Sequence, residues 1–232
     1  MEHLPNFGLA NTTTGFSTFG AGCMAVVLSH LMHRQPARWM FAYWMIVVTG
    51  VFTVTLHGYG ETNPIWGERW FWGFLDTGSN IVVTWAIAMA VIGDYYAKST
   101  QKWAWPAVTL LMIIGVGWHY YDRMPSTPQQ YLLNFGGWGG FNPGEVWLIG
   151  FSWLNVGLFI AKRKLIPRRA MPLLLFTLAM FFAGMFLATA SNDKIIYPFY
   201  SLHALWHIVG GYGFIALWAF NHVRFTTEAQ ET

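Results

Sequence analysis

Seven apolar stretches, each close to the length needed to cross a bilayer, constrain this 232-residue chain more than any other feature. About 20 helical residues, rising 1.5 Å each, match a hydrocarbon core of about 30 Å. Lipid offers no partner to a backbone N–H or C=O, so such stretches must bond internally as helices. The expected spans are 14–32, 39–56, 70–92, 103–119, 146–161, 171–190 and 199–222. The chain therefore reads as one all-α, seven-transmembrane bundle occupying residues 1–232, with no internal repeat and no second domain. Composition agrees: 55% of residues are hydrophobic and only 10% charged, too few charges for the surface of a soluble domain. Trp39, Trp66, Trp70, Trp72, Trp103, Trp105, Trp118, Trp138 and Trp147 fall near the span ends, where an aromatic belt is expected.

The basic residues assign direction. Arg34 and Arg38 follow the first span, Lys98 and Lys102 the third, and Lys162, Arg163, Lys164, Arg168 and Arg169 the fifth. With Arg224 after the seventh, 10 of the 13 Lys and Arg lie on one side. The other side carries Arg69, Arg123 and Lys194 with the acids Glu61, Glu68, Asp122, Glu145 and Asp193. The positive-inside rule then predicts an outside N-terminus and a cytoplasmic C-terminus. Confinement of the basic residues to short loops argues against a nucleic-acid partner. The single Cys23 permits no internal disulfide, and the first dozen residues lack the basic start of a cleavable signal peptide. The long connection 122–145, rich in Gly, Pro and aromatics, is expected to lie along the interface.

Direction converts sequence position into depth. His57 ends the outward-running second span, and Asp76 lies six residues into the inward-running third, roughly 9 Å below its start. His203 and His207 are four apart in the seventh span, which places both imidazoles on one helix face in the outer leaflet. Buried titratable groups in a span are costly unless something binds them. Three imidazoles with an open fourth position form the ligand set of a hydrolytic zinc site, where zinc activates water and polarises a carbonyl. Asp76 is placed to carry the water proton to the leaving group. Thr53, one turn before His57, is expected to bond the developing oxyanion. Ser79 and Asn80 are expected to orient Asp76 or a histidine. His119 reaches the outer end of the fourth span beside Tyr120 and Tyr121 and reads as interfacial. His30, His33, His222 and Asp94 read as solvated at the cytoplasmic ends.

The pattern resembles the CREST superfamily of seven-span hydrolases, which includes the alkaline ceramidases and the adiponectin receptors. The shared elements are Ser-x-x-x-His on span two, Asp early in span three and His-x-x-x-His on span seven. They read here as Thr53-Val-Thr-Leu-His57, Asp76, and His203-Ala-Leu-Trp-His207. The outside N-terminus favours the ceramidase branch. The resemblance implies that the three histidines hold zinc while the carboxylate assists hydrolysis of a ceramide-like lipid amide at the extracytoplasmic (periplasmic or luminal) leaflet. Two departures stand out. The family serine is a threonine, and the acidic calcium motif of the ceramidase N-terminus is reduced to Glu2, Asn6 and Asn11, so no calcium is expected. The interactions implied are with membrane lipids and a lipid amide substrate.

Two other readings fit parts of the pattern. A non-enzymatic membrane subunit with a degenerate metal site would use the Trp-, Phe- and Gly-rich surfaces against partner membrane proteins. A b-type haem protein would use two of the histidines as axial ligands, although residues four apart on one helix cannot both serve one iron.

Overall fold

A computed structural model describes residues 5–32, 35–60, 69–127, 132–134, 140–189, 195–197 and 200–231. Each expected span coincides, to within a few residues, with part of a helix: α1 Pro5–Leu31, α2 Ala37–Thr55, α3 Arg69–Tyr95, α4 Lys98–Arg123, α5 Pro143–Ala161, α6 Met171–Thr189 and α7 Leu202–Glu231. Five contain a segment long and apolar enough to cross a membrane, namely Asn11–Leu31, Ala37–Gly58, Trp70–Tyr95, Pro143–Ala161 and Leu202–Thr227. The apolar run in α6, Met171–Leu187, is shorter. The length of α4 comes partly from Lys98, Gln101 and Lys102 at one end and Asp122 and Arg123 at the other, which leaves a short apolar middle. The fold is thus an all-α membrane bundle with five helices of spanning quality. Arg34, Glu61, Glu68, Asp193 and Lys194, which help to assign direction, lie outside the described residues.

Local chemistry sets several helix ends. Asn142 and Glu145 form a reciprocal capping box at the start of α5. The Asn142 side chain accepts from the Glu145 amide at 3.0 Å, and the Glu145 carboxylate accepts from the Asn142 amide at 2.8 Å. Pro143, at the first turn, lacks only an N–H that would have no helical partner anyway. Two short antiparallel ladders, unforeseen in the sequence, join β1 Leu133–Asn134 to β2 Gly140–Phe141 and β3 Ile195–Tyr197 to β4 Tyr200–Ser201.

In the bundle, α1 lies between α2 and α7; α2 packs on α3, α3 on α4 and α5, and α6 on α7. Glycines permit the closest approaches. A Cβ at Gly50 would stand 2.4 Å from Phe19 Cα, one at Gly22 2.6 Å from the Val47 amide nitrogen, and one at Gly211 2.9 Å from the Ser17 carbonyl. Close approach of backbones is how helices associate where burial of apolar surface gives little advantage.

A polar cluster ties α2, α3 and α7 together at the end where α2 begins. Asp94 accepts from Arg38, from the Trp39 indole at 2.8 Å and from Arg224 at 2.6 Å. Arg224 is 1% exposed, bonds Asn221 at 2.8 Å and lies 4.1 Å from the Phe225 ring centre. This corrects three sequence readings. The Asp94 side chain is 4% exposed rather than solvated, Arg224 belongs to the bundle interior rather than a loop, and Trp39 is wholly buried rather than part of the belt. His222 is also less exposed than expected, because its ring stacks on Trp218 with centres 5.2 Å apart.

Candidate metal centre

His57 occupies the second position of a π turn, Leu56–Gly60, that ends α2. A π turn closes its hydrogen bonds one residue later than an α turn, so it redirects side chains, and such turns are frequent at functional sites. On α7, His203 and His207 are separated by one turn and present their rings to the same side. The Nε2 atoms of His203 and His207 each stand 3.1 Å from Nε2 of His57. One ring nitrogen from each of the three lies within 4.8 Å of the others. His57 and His207 are buried and His203 is half-buried. The rings meet nearly edge-on, at interplanar angles of 71–85°, as rings do when they point at a common centre.

The donor chemistry fits a cation. Neutral imidazole carries one N–H, so Nε2 of His57 cannot donate to both neighbours at once. Lone pairs turned toward one point repel, and a metal ion removes that conflict. With zinc–nitrogen bonds of about 2.0–2.1 Å in a tetrahedron, ligand nitrogens stand about 3.3 Å apart, near the 3.1 Å that separates His57 from each of its two partners. A haem between His57 and either partner would need the two rings on opposite faces of a macrocycle, for which a 3.1 Å separation leaves no room.

Asp76 is buried in α3 and is not one of the three-histidine group. It accepts a hydrogen bond from the buried Thr53 hydroxyl, one turn before His57. The sequence expectation assigns Thr53 to an oxyanion; the structure gives its hydroxyl to Asp76 instead. Ser79 and Asn80 also act differently from expectation. Their side chains donate to the main-chain carbonyl of Asp76, at 2.9 and 3.0 Å, rather than to its carboxylate or to a histidine. They therefore hold the backbone from which the carboxylate projects.

Helix α1 contributes a polar stripe that sequence reasoning overlooked. Asn11, Thr14 and Thr18 are buried, at the helical spacing that aligns them on one face. The Ser17 hydroxyl donates to the His207 carbonyl at 2.6 Å, and Thr12 faces Gly58 beside His57. The available signal was polar residues recurring every three or four positions inside an apolar span. Glu2, another residue of the expected calcium-motif remnant, lies outside the described residues, as does His33. His119, expected at the interface, is fully buried: a Cβ on Gly144 would stand 2.2 Å from its Nδ1, and the Phe74 ring lies 5.8 Å away. It stays outside the three-histidine group. His30 is exposed, as expected.

No family model, curated protein or solved structure matches the chain.

Proposed function

We propose that the chain is a zinc-dependent intramembrane hydrolase of lipid amides, ceramide-like in substrate and allied to the alkaline ceramidase branch of the CREST superfamily. The carrying observation is the convergence of His57, His203 and His207, which brings three ring nitrogens from two helices within 4.8 Å. The same three residues, with Asp76 and Thr53, are those that the family resemblance singles out. In this reading all seven helices span the membrane, α4 and α6 turning exposed apolar side chains such as Leu110, Ile113, Leu175 and Phe186 to lipid, with the N-terminus outside and the metal centre in the extracytoplasmic leaflet. The distribution of basic residues supports that direction.

The three histidines would hold zinc through neutral ring nitrogens. Bound there, zinc would supply Lewis acidity toward the amide carbonyl and ease the ionisation of water at neutral pH. Asp76 accepts the proton of the attacking water and passes it to the amide nitrogen as the C–N bond breaks, releasing a carboxylic acid and an amine. The Thr53 hydroxyl holds the carboxylate in orientation for both transfers. The test is zinc content of detergent-purified protein by elemental mass spectrometry, beside turnover of fluorescent ceramides and simpler lipid amides. About one zinc per chain, lost in H203A/H207A, together with amide hydrolysis, is expected. A folded sample without zinc and without hydrolysis would overturn the reading.

A further inference from the structure

A threonine in a helix has two accessible χ1 wells, because its hydroxyl can bond the main-chain carbonyl one turn back. Two threonines on the same stretch of α2 resolve that choice differently. Thr55 takes the local solution and donates to the Val51 carbonyl at 2.8 Å. Thr53 instead sends its hydroxyl across to Asp76 on α3. The Thr53 methyl, for its part, faces α1. A Cβ built on Gly15 of α1 would stand 3.1 Å from the Thr53 methyl and 3.5 Å from a methyl of Val54. The Thr53 methyl thus fills the space that the missing side chain of Gly15 leaves between α1 and α2.

We infer that Gly15 and Thr53 are a matched pair: the methyl seated against Gly15 fixes the rotamer that keeps the Thr53 hydroxyl on Asp76. The inference rests on the hydrolase reading above and deepens it. Thr53 is then the positioning residue of the proton-carrying carboxylate, and the departure from the family serine is compensated on α1. A serine at this position lacks the methyl, so its hydroxyl is free to take the methyl's place and turn away from Asp76. An alanine in place of Gly15 crowds the threonine methyl but would block that same place to a serine hydroxyl. Gly with Thr fits, as does Ala with Ser, whereas the two mixed combinations leave the hydroxyl loose or displaced.

Four proteins test this: wild type, T53S, G15A and G15A/T53S, each assayed for fluorescent-ceramide hydrolysis, zinc content and melting temperature in detergent. Each single variant should lower kcat about 5-fold with KM and zinc unchanged, and the double variant should return to within about 2-fold of wild type, a coupling of the size contacting residues show. G15A should lower the melting temperature when introduced into the wild type and not when introduced into T53S, a packing readout independent of turnover. An active wild type whose T53S variant has the same kcat, or whose double variant shows multiplied losses, would overturn the pair while leaving the hydrolase reading intact. A wild type without zinc or hydrolysis would overturn both.

Discussion

Helix α1 packs against both helices that carry the histidines, so its distance from α2 should govern the three-histidine site. Gly50→Ala tests this at the tightest contact. The added methyl would stand 2.4 Å from both Cα and the amide nitrogen of Phe19, which are backbone atoms that cannot swing aside. Carbon atoms pack comfortably at about 3.5–4.0 Å, so α1 must recede locally by about 1 Å. Overpacking of this kind costs about 1–3 kcal/mol, offset by up to ~1 kcal/mol from alanine's better helix propensity. Those two terms leave a net loss of up to about 3 kcal/mol. The displacement occurs two turns before His57, and α1 also holds the His207 carbonyl through Ser17 at 2.6 Å. It should therefore spread the 3.1 Å spacing of the ring nitrogens beyond what bonds of about 2.0–2.1 Å can follow. Zinc affinity, read by chelator competition, should fall by about 10-fold or more, in the range seen when residues supporting a metal ligand are lost. The control is Gly20→Ala on α1, where nothing lies within 4 Å of the new methyl, so affinity should hold and the melting temperature should hold or rise. If Gly50→Ala matched Gly20→Ala in both measurements, α1 would not set the spacing.

Three further substitutions separate the roles assigned here. His207→Ala should abolish stoichiometric zinc, read by elemental mass spectrometry, while leaving a folded, monodisperse protein. Asp76→Asn should retain zinc and lose hydrolysis by about 100-fold or more, the usual scale of general acid–base assistance; full activity would refute the proton-transfer role. Asp94→Asn should strongly lower the melting temperature, because it leaves Arg224 buried without its counter-charge, a change that typically costs about 3–5 kcal/mol.

The helices were legible because a hydrocarbon solvent leaves the backbone few choices, and long apolar runs announce them. The histidine constellation was legible for a related reason: direction fixes depth, and a four-residue spacing fixes a face. Side-chain partners were harder to read. Thr53 and Asp76 both stand out in the sequence, yet nothing in one dimension says that the hydroxyl of one meets the carboxylate of the other across α2 and α3. Asp94 and Arg224 mislead because both sit near span ends, where charges are ordinarily wet. Their pairing spans 130 residues and becomes visible only once α3 and α7 are placed. The π turn at His57 was equally hidden, since Leu-His-Gly-Tyr-Gly has no pattern that separates a π from an α turn.

The two polar clusters explain each other. The helices α2, α3 and α7 each carry a residue of the histidine–aspartate site (His57, Asp76, and His203 with His207) and a residue of the Asp94 cluster at the opposite end. In α3 the two carboxylates are eighteen residues apart, about 27 Å of helix. A straight helix pinned at one end by packing alone can still turn about its axis, and a slip of one residue turns every side chain by about 100°. Charge-assisted bonds to one carboxylate from Arg38, Trp39 and Arg224 fix the rotation of all three helices together. Such geometry is demanding, whereas lipid-facing packing among apolar side chains is tolerant of rotation. A site whose three histidines arrive from two helices, and whose carboxylate arrives from a third, needs that constraint more than it needs added stability. The buried Arg224 is accordingly best understood as a register pin for the three-histidine site, with its cost in desolvation offset by the surrounding aromatic rings and its bond to Asn221.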